Sequence, residues 1–166
     1  MSRYSRMLLH LAHTLARAGA GHVESFVFGT RLTRTTQALK NRDPDVSVSQ
    51  VVRDVEDWSG GTRITHCLHD FNRLWARRVL SGNATVLLIT DGLEFSPGDE
   101  LAQEMQRLHK SCRRLLWLNP LLRFDAFEPR AAGIKIILRH VDAFLPCHNL
   151  QSLTELAQRL AQPMQP

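Results

Sequence analysis

Two hydrophobic periods run along this chain, and the places where one gives way to the other outline its elements. The stretch Asn83–Glu94, NATVLLITDGLE, carries an apolar core from Ala84 to Ile89. That core is too short for a membrane span and too continuous for a half-exposed antiparallel strand, so it predicts a parallel strand buried on both faces. The strand ends in Thr90-Asp91-Gly92. Ligands of open α/β sheets collect outside the carboxyl ends of the strands. A carboxylate there, followed by a glycine that turns the chain away, is a site candidate; an aspartate capping the next turn is the plain alternative.

Upstream, Met7, Leu8, Leu11, Leu15 and Ala18 share one helical stripe, which predicts a helix over Ser2–Ala18 stopped by Gly19 and Gly21. His22–Thr30 predicts a strand through Val23, Phe26 and Phe28, and Arg31–Thr36 a second one, polar enough for a sheet edge. After the turn Asn41–Pro44, the spacing of Val48, Val51, Val52 and Val55 predicts a helix over Ser47–Trp58. Ser59-Gly60-Gly61-Thr62 breaks that pattern and opens a further helix, marked by Ile64, Leu68, Phe71, Trp75 and Val79 and running to about Leu80.

Beyond the central strand, Ser96–Asp99 leads into a helix over Glu100–Ser111, and Arg114–Leu118 is a short strand closed by Asn119-Pro120. Leu121–Arg130 is irregular. Ala131–Arg139 fits helix or strand and is read as helix from the context of its C-terminal neighbours. These are a last strand over Val141–Leu145 and a helix capped by Asn149 that carries Leu150, Leu153, Leu156 and Leu160. Strands alternating with helices predict one three-layer, Rossmann-like α/β domain over residues 1–161 with a mostly parallel central sheet, and a tail over 162–166. One element is missing from the pattern. The first helix of such a fold normally follows a central strand, and here the chain begins directly at the helix.

At 166 residues the chain has room for one domain of ordinary core size. No apolar run reaches membrane length and no secretory pattern opens the chain, so no membrane partner and a cytoplasmic location are expected. Cys67, Cys112 and Cys147 are odd in number and far apart, which argues for reduced, partly buried thiols rather than a disulfide framework or a CxxC zinc site. The net charge of +5 raises affinity for polyanions, but the clusters Arg31–Arg34, Arg73–Arg78 and Lys110–Arg114 are short and carry no aromatic-interleaved motif. Nucleic acid is thus not the expected partner. A basic α/β scaffold that binds nucleic acid stands as the alternative function.

Enzyme chemistry lacks its apparatus: the chain has neither a GxSxG elbow nor a GxxxxGK[ST] phosphate loop. Glu94 and Asp99, near Asp91, read as solvated or capping carboxylates, since nothing supplies a nucleophile beside them. The pairs His10/His13 and His66/His69 lack further ligands and read as surface or helix-end histidines. Trp58, Trp75 and Trp117 read as fillers between helices and sheet. Arg77 and Arg78 would suit an acidic partner or simply an exposed helix face.

Two loops would meet at the carboxyl edge of this sheet, one with Thr62 and one with Asp91; a hydroxyl and a carboxylate are hard donors suited to magnesium. Here the chain resembles a von Willebrand factor type A domain. Gly60-Gly61-Thr62 matches the threonine segment of that family's metal-ion-dependent adhesion site, and Ile89-Thr90-Asp91-Gly92 its aspartate segment. The CoxE-like branch is closer still. Its likeness runs through Met1–Arg6, Asp70–Trp75, Ser111–Leu115, Leu118–Leu121, Phe127–Ile134 and His148–Leu150.

The resemblance implies a non-enzymatic protein-binding module that captures a partner carboxylate through Mg2+ or Mn2+ held by Thr62 and Asp91, with Gly60, Gly61 and Gly92 shaping the site loops. It also implies a MoxR-type AAA+ ATPase, or that ATPase's client, as partner, in maturation or metal-centre assembly of a molybdenum enzyme such as carbon monoxide dehydrogenase. The family's first strand and its Asp-x-Ser-x-Ser loop are absent from the sequence given. Either a longer natural protein supplies them, or the sheet repairs itself by re-pairing, strand exchange or dimerisation. Two of the family's five metal-site side chains remain, so weak cation binding or none is expected.

Overall fold

The computed structural model describes residues 3–17, 22–55, 61–80, 83–92, 98–120 and 132–147, and Leu156. The chain divides into two compact units, Met1–Trp75 and Ala76–Pro166.

The first unit opens with helix α1, Arg3–Arg17, close to the predicted bounds. Its most buried positions are Leu9 and His13, four residues apart, rather than the expected stripe of Met7, Leu8, Leu11 and Leu15, which is only half-buried. A stripe read from apolarity alone passes over a histidine. Yet the His13 Nε2 lies 2.8 Å from the Asn41 carbonyl, and an imidazole so partnered can be buried cheaply. His13 is therefore not the surface histidine its sequence context suggests.

Strands β1, Phe26–Phe28, and β2, Leu32–Arg34, are shorter than predicted and pair antiparallel with Phe26 opposite Arg34. A 3-10 turn over Ala38–Lys40 leads to helix α2, Pro44–Asp54. This helix starts a turn earlier than the valine spacing indicates. The Asp43 side chain accepts from the amides of Asp45 and Val46, and Pro44 fills the first helical position, where a missing N–H costs nothing. Val48, Val51 and Val55 then join Leu9 and Leu39 in the core of this unit, with Ala12, Val27, Ala38 and Val52 against it.

Helix α3 spans Ile64–Asp70 and buries Ile64, Cys67 and Leu68. The single long helix expected to about Leu80 does not continue unbroken: Phe71–Trp75 is a wider, π-helical turn. There Phe71 and Trp75 meet the Phe26 ring edge-on at 5.2 and 5.3 Å, so the turn is seated on the hairpin by aromatic packing.

The second unit contains α4, Ala76–Val79; β3, Thr85–Ile89; α5, Asp99–Ser111; β4, Arg114–Asn119; α6, Ala132–Leu138; and β5, Ala143–Pro146. The strands form a parallel sheet in the order β3-β4-β5, with Thr85 beside Arg114 and Leu116 beside Ala143. Helices alternating with parallel strands make the fold α/β. The segment that fits either helix or strand by its spacing is the helix α6.

The strand buried on both faces is β4, in which Leu115 through Asn119 are all buried. In β3 only Leu88 is buried and Thr85 is exposed, contrary to expectation. Among the described residues β4 has a neighbour on each side and β3 on one, which is the physical reason for the exchange. The predicted closing helix, Trp58 and the irregular stretch 121–130 lie outside the described residues, apart from Leu156, which is buried. Among the described residues no helix is long and apolar enough to cross a membrane.

Candidate functional site

The Thr62 side of the candidate site belongs to the first unit. Strand β1 ends at Phe28, and the next carbonyl, that of Gly29, accepts from the Arg63 amide at 2.9 Å and from the Cys67 thiol at 3.6 Å. The start of α3 is thereby tied to the end of β1, and the residues just before it are carried along. Gly61 has φ +82°, with nothing within 4 Å of where a Cβ would stand, so glycine is needed there for backbone conformation alone. Thr62 comes next and is exposed.

Gly61 and Thr62 line a cavity of about 190 Å³ with Ser5, Val27, Phe28, Gly29 and Val55. The cavity thus joins the start of α1, the end of β1 and the loop before α3. Its described lining offers hydroxyl oxygens from Ser5 and Thr62 and no carboxylate. Gly60 lies outside the described residues.

Asp91 belongs to the second unit, directly after β3. The Thr90 amide continues the ladder by donating to the Leu118 carbonyl at 3.2 Å. The turn beyond it is held at three points. Thr90 Oγ1 accepts from the Gly92 amide at 3.1 Å, the indole N–H of Trp117 donates to the Thr90 carbonyl at 2.9 Å, and the Asn119 amide group donates to the Asp91 carbonyl at 3.3 Å. Gly92 has φ +75°, and a Cβ there would stand 2.7 Å from the Trp117 ring and 2.9 Å from Ile134. Here glycine is required by conformation and by space together. Asp91 is half-buried.

Magnesium prefers six oxygens in near-octahedral array and usually takes one or two carboxylates. The first unit's cavity offers neutral oxygens and the second unit's turn one carboxylate, so the described residues of neither unit by themselves make a divalent-cation cage. Among the described residues no three His, Cys, Asp or Glu side chains converge as a metal would need. A family model described as VWA domain containing CoxE-like protein matches residues 1–153. The chain belongs to this family. A comparison with curated proteins returned no match.

Membership of the CoxE-like VWA family points to a protein-interaction module. Other candidate side chains among the described residues sit at the surface or in ion pairs. His10 lies 3.8 Å from the Asp45 carboxylate and His66 3.6 Å from Asp70. Asp99 is an exposed residue of the first turn of α5, and Glu94 lies outside the described residues. The thiols are free. Burial, with Asp142 adding to it, pushes Cys112 up to about 11, and burial pushes Cys147 up to about 12. Thiols so placed stay protonated at neutral pH, which removes the thiolate a cysteine nucleophile needs.

Sequence reasoning misses the supports of the Asp91 turn. By its sequence Trp117 is a packing residue, and it also donates to Thr90; Asn119 is a strand end, and it is fully buried with a donor on Asp91. A charge network on the hairpin is equally hidden. Arg34 clasps Glu24 with two hydrogen bonds of 2.8 Å and lies over the Trp75 ring, 5.1 Å from its centre, while Thr36 donates to the same carboxylate at 2.6 Å. The Arg34 bonds, opposed by burial and joined by Thr36 and His22, lower the Glu24 carboxyl from 4.5 to about 2.

Proposed function

We propose that this CoxE-like VWA domain is a non-enzymatic protein-binding module whose Thr62 and Asp91 ligate a divalent cation, Mg2+ or Mn2+, and thereby capture a carboxylate of a partner protein. The observation that carries the reading is the Asp91 turn: a carboxylate at the carboxyl end of β3, on backbone held by three hydrogen bonds and a glycine with no room for a side chain. So rigid a mount suits a residue whose task is to present charge at a fixed place. Thr62, on the wall of a cavity at the end of β1, supports it from the first unit. A bound cation would supply the positive charge that makes a partner Asp or Glu the preferred contact.

The partner on this reading is a MoxR-type AAA+ ATPase or its client, the process is maturation or metal-centre assembly of a molybdenum enzyme such as carbon monoxide dehydrogenase, and the location is cytoplasmic. That identification rests on the family resemblance. One threonine and one aspartate are a sparse ligand set, so the binding of Mg2+ and Mn2+ by this chain is expected to be weak. Calorimetry with either ion checks the ligand count, which micromolar affinity would refute. Binding of the chain to a MoxR-type ATPase is expected to fall on chelation and in Asp91→Ala. Binding indifferent to both sinks the proposal.

A further inference from the structure

The amino ends of the three parallel strands form a second chemical environment in the second unit, at the opposite end of β3 from Asp91. With about 3.3 Å of rise per strand residue, the two ends are roughly 16 Å apart. The turns entering the strands are laced together there. The amides of Arg113 and Arg114 both reach the Ala84 carbonyl, at 2.9 and 3.4 Å, and the Asp142 amide donates to the Leu115 carbonyl at 2.8 Å. The carboxylate of Asp142 is occupied on both oxygens, by the His109 ring at 3.1 Å and by the Leu115 amide at 2.6 Å. The described acid of this edge is therefore committed to holding the edge together, and the cations around it outnumber it.

Arg113 is exposed and already fixed, its guanidinium donating to the Asn83 side chain at 2.7 Å. Lys110 and Arg139 are exposed at the ends of α5 and α6, and Arg114 begins β4. Cations near helix C-termini complement the helix dipole, which accounts for Lys110 and Arg139. Arg113 lies instead in the short connection from α5 to β4, where its bond to Asn83 holds an exposed guanidinium in place. Half-buried His140 sits beside Arg139: burial first, then the charges of His109 and Arg139, lower its pKa from 6.5.

We propose that this edge is a docking surface for a short acidic segment of a partner protein, whose carboxylates are received by the exposed Lys110, Arg113 and Arg139. Guanidinium groups match carboxylates with two parallel hydrogen bonds, and a guanidinium already held in place loses little freedom on binding. The patch is only three turns wide, and its described residues, 83–84, 109–114 and 139–142, include no aromatic ring for a base to stack on other than the histidines. It therefore fits a peptide better than a nucleic acid, which needs a longer basic track or stacking platforms.

The test is amide chemical-shift mapping of the full chain with a short Asp/Glu peptide. The expected result is that the largest changes fall on residues 109–114 and 139–142, and that the His140 ring titrates at higher pH with the peptide bound. The double reversal Arg113→Glu/Arg139→Glu is expected to weaken binding by about tenfold or more. The equal-charge control Arg17→Glu/Arg53→Glu, at exposed positions of α1 and α2, is expected to change it by less than about twofold. Shifts centred elsewhere, an equal loss in the control, or tighter binding of a DNA duplex than of the peptide at these residues would each overturn the proposal. Insensitivity to chelator separates this edge from the Asp91 site.

Discussion

Gly61 and Gly92 share a left-handed backbone, at φ +82° and +75°, and each adjoins a residue proposed to ligate a cation, but their surroundings have little in common. Around Gly92 the protein is full: the Trp117 ring and Ile134 occupy the space a Cβ would need, and the indole that closes this space also donates to the Thr90 carbonyl. Around Gly61 there is open space, and the loop is anchored one residue beyond Thr62, where the Arg63 amide meets the Gly29 carbonyl. Asp91 is thus positioned by hydrogen bonds and packing of β4 and α6 against its turn, whereas among the described residues the Thr62 loop is anchored through the backbone bond of Arg63. Of the two proposed ligands, Asp91 is the preorganised one and Thr62 the adjustable one.

On that contrast, the same substitution should have different consequences at the two glycines. Gly92→Ala combines the penalty of a left-handed alanine with overpacking against Trp117 and Ile134, and is expected to cost about 2–5 kcal/mol in urea denaturation. Trp117→Phe keeps most of the ring but leaves the Thr90 carbonyl without its donor, for an expected loss of about 2 kcal/mol by the same measurement. A loss no larger than that of an exposed substitution would mean that the indole packs beside the turn without holding it.

The first unit has a rigid part of its own, but its rigidity is electrostatic, and pH separates the two kinds. Glu24 is lowered from 4.5 to about 2 chiefly by the Arg34 hydrogen bonds. A carboxyl lowered by folding stabilises the native state above its unfolded value, and that stabilisation is lost as pH falls through 4.5 toward 2. Amide signals of Phe26–Arg34 are accordingly expected to fade before those of Leu115–Asn119 on acidification. Glu24→Gln should remove this order at a cost of about 1.5 kcal/mol at neutral pH, with the partly exposed guanidinium screening some of the effect. The smallest effect is expected at Gly61→Ala, about 1 kcal/mol, because only the backbone conformation resists it. A loss as large as that at Gly92 would erase the distinction.

The elements are largely legible because each writes its period into a short window: α1, α5 and α6 stand close to their predicted bounds. What the window does not show is which apolar strand lies inside. Thr85–Ile89 and Arg114–Asn119 are equally apolar to the eye, and burial is decided by how many neighbours each strand acquires. The early start of α2 is written in Asp43-Pro44, a capping residue followed by a first-turn proline, and is obscured when greater weight falls on the valines. The π-helical turn at Phe71–Trp75 leaves no mark in the spacing, since it is fixed by rings packing on Phe26. Thr62 and Asp91 stand out through their glycines. Trp117 and Asn119, which hold the Asp91 turn, lie 27 and 28 residues from their partners, and such separations become meaningful only once β3 and β4 are paired in register.

The most direct test of the proposed site is paramagnetic broadening by Mn2+ in amide spectra of the whole chain, a measurement that tolerates weak binding. The account predicts that as Mn2+ is added the signals of Thr62 and Asp91 broaden together, ahead of those of the exposed histidines, and that both are spared in Asp91→Ala. Broadening of one without the other, or broadening that survives the substitution, would contradict it.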